Sequence, residues 1–324
     1  MKTKSKQVII IGAGGSYPYN FPLGEELLNN VQNSYVESAR TYVYNTYRTS
    51  DYESNSITVE AKKFVSKLNN ITGISLDKFI NFNPLEKKNG LKALIIEIIK
   101  NENSSISPGS KDVKGDWYKY LFTKMISGLD SFEAVKENFH NNLSFITFNY
   151  DRSLENYLYN NLLRIFINNN VNPKDIVQII ESIPIVHVYG KTGYLDWESN
   201  PDKEKVVPYG QFDYHLFKKV ESITDMIQLI YDERKASDQI SKAKFLLTQS
   251  ERILFCGFGY DEANLHILGL PEIITNQLVY GTGYKNTKNE MIHISNLLSR
   301  GYNTDNIHIL DLDCLTLLRE HLLV

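Results

Sequence analysis

Four short stretches of this chain hold residues whose types and spacing can do chemistry. Ile11-Gly12-Ala13-Gly14-Gly15-Ser16 closes an apolar run. Glycines there let backbone amides approach a phosphate, though they equally suit a tight turn with no ligand. The dinucleotide fingerprint wants another glycine three residues after Gly14, where Tyr17 stands. Thr147-Phe148-Asn149-Tyr150-Asp151 sets two polar side chains, Asn149 and Asp151, in apolar and aromatic company. The pair suits a sugar hydroxyl or a held water; alternatively Asp151 caps a following helix, accepting an N–H two or three residues on. Val186-His187-Val188-Tyr189-Gly190 offers His187 as a proton acceptor or as a ring satisfied within the structure. Finally, Gly257 and Gly259 precede Asp261 and Asn264. Backbone approach to a ligand with side chains on ribose hydroxyls is one reading, and a turn with a helix start is the other.

All four stretches follow runs with strand character, Val8–Ile11, Leu143–Phe148, Ile183–Val188 and Arg252–Cys256. Further strands are expected at Gln277–Tyr280 and Asn306–Leu310. Between the first two strands, Gly24 to about His140 reads as helical, with Leu91, Leu94, Ile95, Ile98 and Ile99 on one helical face and a loop over Asn101–Lys114. Leu154–Ile167 and Leu312–Leu323 read as helices. A second excursion from Tyr194 to about Leu247 holds a loop around Pro201 and a helix from Tyr214 toward Ile230. Strands alternating with helices predict an α/β fold, a Rossmann-like doubly wound and mostly parallel sheet with a large helical insertion after the first strand. We expect a single domain over 1–324, the insertion at about 25–140 and the smaller excursion at about 195–248. In such a sheet ligands sit at the carboxyl ends of the strands, so the four stretches are expected to converge on one crevice.

Composition narrows the function classes. With 324 residues, 42% hydrophobic and 23% charged, the chain has an ordinary globular make-up. A net charge of -3 and the lack of a long basic run argue against nucleic acid as a direct ligand and against anionic lipid. Cys256 and Cys314 are far apart in sequence and flanked by apolar residues, which excludes a disulfide framework and a cysteine zinc site and fits a reducing cytosol. The basic start leads into only four apolar residues, Val8 to Ile11, too few for a signal segment or membrane span, so a cytoplasmic location is expected.

In this order the stretches resemble the sirtuin superfamily, and most of all its bacterial defence-associated branch of NAD-consuming proteins. Gly12-Ala13-Gly14-Gly15-Ser16, with Pro22 after it, is similar to the superfamily's opening Gly-Ala-Gly-x-Ser and downstream proline. Thr147-Phe148-Asn149-Tyr150-Asp151 resembles its Thr-Gln-Asn-Ile-Asp motif, and Leu154-Glu155 after it is nearer to the defence branch. Gly257-Phe258-Gly259-Tyr260-Asp261 with Asn264 resembles that branch's late glycine-rich element. Three features depart from deacylating sirtuins. The four-cysteine zinc ribbon is missing, Phe148 replaces a glutamine, and Tyr189 rather than histidine precedes Gly190.

The resemblance implies NAD as substrate, no metal, and hydrolysis to nicotinamide and ADP-ribose as an antiphage defence effector acting by NAD depletion. It places the pyrophosphate against Gly12, Ala13, Gly14 and Ser16, and the adenosine half near Gly257, Gly259, Asp261 and Asn264. The nicotinamide ribose then meets Asn149, Asp151 and His187. Asn149 would position water or the ribose and His187 would accept a proton, since tyrosine, with a pKa near about 10, makes a poor base at neutral pH. A homo-oligomer or a regulatory partner would hold such an enzyme silent. Competing readings are an NAD-dependent protein deacylase and a non-catalytic NAD or ADP-ribose sensor.

Overall fold

The computed structural model describes residues 6–49, 51–140, 142–169, 171–199, 201–229, 238–299 and 304–323. Six parallel strands form one sheet: β1 Gln7–Ile11, β2 Leu143–Thr147, β3 Ile185–His187, β4 Arg252–Cys256, β5 Leu278–Thr282 and β6 Ile307–Leu310. Their order is β3-β2-β1-β4-β5-β6, so the winding reverses between β1 and β4. This is the doubly wound arrangement expected from the strand and helix alternation, and the reversal opens a crevice above the strand ends. Continuous apolar runs suit β1 because a central parallel strand is covered on both faces. Val8 and Ile10 join the core on one face, Ile9 and Ile11 the core on the other.

Helices α1 Ala13–Ser16, α2 Gly24–Tyr47, α3 Ser56–Leu68, α4 Leu76–Phe82 and α5 Lys87–Ser104 follow β1, and then α6 Trp117–Ile126 and α7 Phe132–Asn138. After β2 come α8 Ser153–Phe166 and α9 Pro173–Ser182; the excursion supplies α10 Tyr214–Ile223 and α11 Asp238–Gln249. α12 Glu262–Leu268, α13 Leu270–Ile273, α14 Lys288–Ser299 and α15 Cys314–His321 complete the order. Side-chain caps start several of these helices: Asn55, Ser75, Asp116 and Ser131 each accept an N–H of the first turn. Among the described residues no helix is long and apolar enough to cross a membrane.

The segment between β1 and β2 is split across the sheet. Leu28, Phe64, Ile80 and Leu94 join the core containing Val8 and Ile10, whereas Trp117, Leu121 and Val135 join the core on the opposite face. The loop expected from Asn101 begins later, because α5 continues to Ser104. Glu102 is buried there and meets the equally buried Arg152, whose Nε lies 3.0 Å from Glu102 Oε1. A polar sequence thus hides an interior ion pair. The helix expected from Tyr214 stops at Ile223, since Ile227 pairs with Gly190 in an antiparallel bridge and the Gln228 N–H donates to Tyr189 O at 2.9 Å. Ile230 lies outside the described residues.

Candidate functional site

Register brings the four stretches together. Ile11 lies level with Thr147 and with Cys256, and Thr147 with His187, so the loops after β1, β2, β3 and β4 leave the sheet at one height. Between them is a crevice of about 220 Å³, lined by Gly12, Ala13, Ser16, Asn149, Asp151, Tyr189, Gly259 and Asn264. The helical segment closes its other side through Gly24 and Leu27 of α2, Asp77 of α4 and Ile98 of α5.

The glycines have a use that spacing did not reveal. A Cβ on Gly12 would come within 2.6 Å of Gly257 O, and one on Gly14 within 3.0 Å. One on Gly257, whose φ is +59°, would collide with the backbone of Gly14 and Gly15. The amides of Gly12 and Gly14 donate to Cys256 O at 3.1 Å and Gly257 O at 2.9 Å, and that of Gly15 to Gly12 O at 2.8 Å. These residues are glycine because two loops interlock there, and the N–H groups of Gly12, Gly14, Gly15 and Gly257 are all engaged within the chain. Gly259 differs: nothing lies within 4 Å of where its Cβ would be, and it borders the crevice. Close approach of a ligand to backbone is therefore open at Gly259.

Asn149 sits at the centre of a polar relay. Its Nδ2 donates to Gly12 O at 3.0 Å and to Ser16 Oγ at 2.9 Å. Ser16 Oγ in turn donates to Asp151 Oδ2 at 2.9 Å, and the Ser153 N–H donates to Asp151 Oδ1 at 3.0 Å. Because Gly12 O can only accept, the amide orientation is fixed and Oδ1 is the atom left over, with no hydrogen-bond partner among the described residues. Asp151 both accepts the first N–H of α8 and anchors the relay. Burial pushes its carboxyl above the usual range, against the hydrogen bonds of Ser153 and Ser16 that favour its ionised form.

Tyr189 Oη donates to Asn264 Oδ1 at 2.6 Å, joining the loop after β3 to the first turn of α12 across the crevice. Phe148 and Phe258 lie beside this contact, with ring centroids 5.0 Å apart. Asp261 is exposed and caps α12, accepting the N–H groups of Ala263 at 2.9 Å and Asn264 at 3.4 Å; it does not line the crevice. Asp77 does line it, and Tyr150 Oη donates to its Oδ1 at 2.6 Å. Sequence reasoning missed Asp77. Its only local signal is the Ser75 cap, which marks a helix start and says nothing of what the first turn faces.

His187 faces away from this space. Its Nδ1 lies 3.1 Å from Asn149 O and its Nε2 2.7 Å from Glu155 Oε1. A carbonyl can only accept, so Nδ1 carries a proton. Burial would push the Glu155 carboxyl up, but the charge and hydrogen bond of His187, with Lys191 nearby, outweigh it and hold it down at about 2. Glu155 is then an ionised acceptor facing Nε2. His187 borders a second cavity, of about 420 Å³, with Glu155, Lys191, Trp197 and Glu198.

Compared with known proteins, the chain matches no family model and no curated protein sequence.

Proposed function

We propose that the crevice binds NAD and that the chain hydrolyses its N-glycosidic bond, releasing nicotinamide and ADP-ribose. The observation that carries this reading is the oriented Asn149 carboxamide, which lines the crevice at the reversal point of a doubly wound sheet and whose Oδ1 has no hydrogen-bond partner among the described residues. The sirtuin-like order of motifs supports the same ligand.

In this reaction the pyridinium leaves as neutral nicotinamide, so positive charge moves onto the ribose in an oxocarbenium-like transition state. The site then needs a fixed acceptor for water or a ribose hydroxyl, and negative charge nearby. Asn149 Oδ1 supplies the first, and the carboxylate of Asp77 the second. The water's proton passes to solvent only after the bond to nicotinamide has loosened, so a strong base is not the main requirement. His187, with both nitrogens engaged, acts in this reading as a positioning residue that holds the Asn149 backbone. The biological setting that the resemblance implies, antiphage defence by NAD depletion under control of an oligomer or partner, belongs to the same proposal.

The engaged histidine also favours a second reading, a nucleotide sensor that binds NAD without turnover. Nicotinamide release from NAD by the full chain, beside Asn149→Ala and with no acyl substrate, decides between them. Release that falls about 100-fold or more in the variant supports hydrolysis. Equal release in both proteins overturns the site, and NAD binding with no release in the wild type leaves the sensor.

A further inference from the structure

The second cavity is not used by the reaction proposed above, yet it is built from charged and aromatic groups. It lies behind His187, walled by β3, by Ile180 and Glu181 of α9 and by the loop carrying Lys191 and Trp197. Its volume of about 420 Å³ exceeds the crevice's and falls within the usual span for small-molecule sites. Trp197 stacks on Tyr159, centroids 4.3 Å apart with planes 10° from parallel, so its indole is backed by a second ring. A planar ligand would meet a surface already held in place.

The charges of the walls decide what kind of ligand fits. Lys191 Nζ lies 2.7 Å from Glu198 Oε1, and His187 Nε2 2.7 Å from Glu155 Oε1. Each of these basic side chains thus faces a carboxylate. Glu181 accepts the Ser199 N–H at 2.7 Å and meets no cation among the described residues. Among the described residues the three carboxylates of the wall, Glu155, Glu181 and Glu198, exceed its two basic side chains, which opposes a phosphate and tolerates a neutral or cationic molecule.

We propose that this cavity is an effector site for a phosphate-free, nucleoside-sized heteroaromatic molecule, and that its occupancy reaches the crevice through His187 and the Asn149 carbonyl. The ligand would lie against the Glu155–His187 pair, and the other nitrogen of the same ring bonds Asn149 O at 3.1 Å. Displacing the ring by a few tenths of an ångström moves the residue whose side chain faces the crevice. The transmission rests on the NAD reading; the binding site does not.

Calorimetric titration of the full chain with adenosine, nicotinamide riboside and ADP-ribose tests the site. At least one phosphate-free probe binds, and its affinity falls about tenfold or more in Trp197→Ala and in Gln239→Trp. Gln239 is an exposed residue at the rim, where a large ring blocks entry without entering the core. Asn149→Ala leaves that binding unchanged, which separates the cavity from the crevice. Absence of binding by both phosphate-free probes at millimolar concentration, or binding that survives both cavity variants, overturns the site. Saturating probe shifts NAD affinity by about fivefold or more. NAD affinity that is the same with and without probe overturns the transmission, and an NAD reading that failed would show as no NAD binding while the probe titration stood.

Discussion

His187 Nδ1 donates to the carbonyl of Asn149 at 3.1 Å, so the end of β3 holds from behind the residue whose side chain faces the crevice. The bond needs a donor at one place and no transferable proton. His187→Asn puts an amide N–H close to the position of Nδ1, whereas His187→Ala removes it. Nicotinamide release is expected to fall about 100-fold in the alanine variant and to stay within about tenfold of wild type in the asparagine variant. Equal loss in both would return His187 to the role of base.

Glu155 carries a pH signature. Its folded pKa of about 2 lies below the ordinary 4.5, so its ionised form stabilises the fold. That contribution is complete above the unfolded pKa and disappears as pH falls toward the folded one. Glu155→Gln is expected to cost on the order of 2–3 kcal/mol at neutral pH. Urea unfolding of both proteins should show the gap narrowing from about pH 4.5 downward. A gap that is constant across this range contradicts the ion pair.

Two glycines of one loop should respond in opposite ways. Gly257→Ala forces a Cβ into the Gly14–Gly15 backbone at positive φ, and a loss on the order of 3 kcal/mol or more is expected. Gly259→Ala meets nothing within 4 Å, so thermal stability should hold while NAD affinity drops as the methyl group enters the crevice. Melting curves with and without NAD separate the two effects.

Glu102 and Arg152 form a buried pair joining α5 to the loop before α8. Removing one partner strands the other charge, so Glu102→Ala should cost about 3–5 kcal/mol. Replacing both by methionine should cost much less than the sum of the single changes. Additive losses in chemical denaturation would show that the pair is not coupled.

The largely apolar runs of β1, β2 and β4, alternating with helical stretches, determined the parallel sheet by themselves, because a strand covered on both faces reads as a near-continuous apolar run. The same local logic marked the positions after those strands, and Asn149 with Gly259 could be named from them. Other features depended on contacts between residues far apart in the chain. Gly12 and Gly14 face Gly257, Glu102 meets Arg152, and Asp77 reaches the crevice from a helix whose sequence records only its own cap. His187 shows the division most clearly. Its place at a strand end was legible, but the direction of its ring was decided by Glu155 and the Asn149 carbonyl, since the two nitrogens turn toward whatever acceptors the fold brings near.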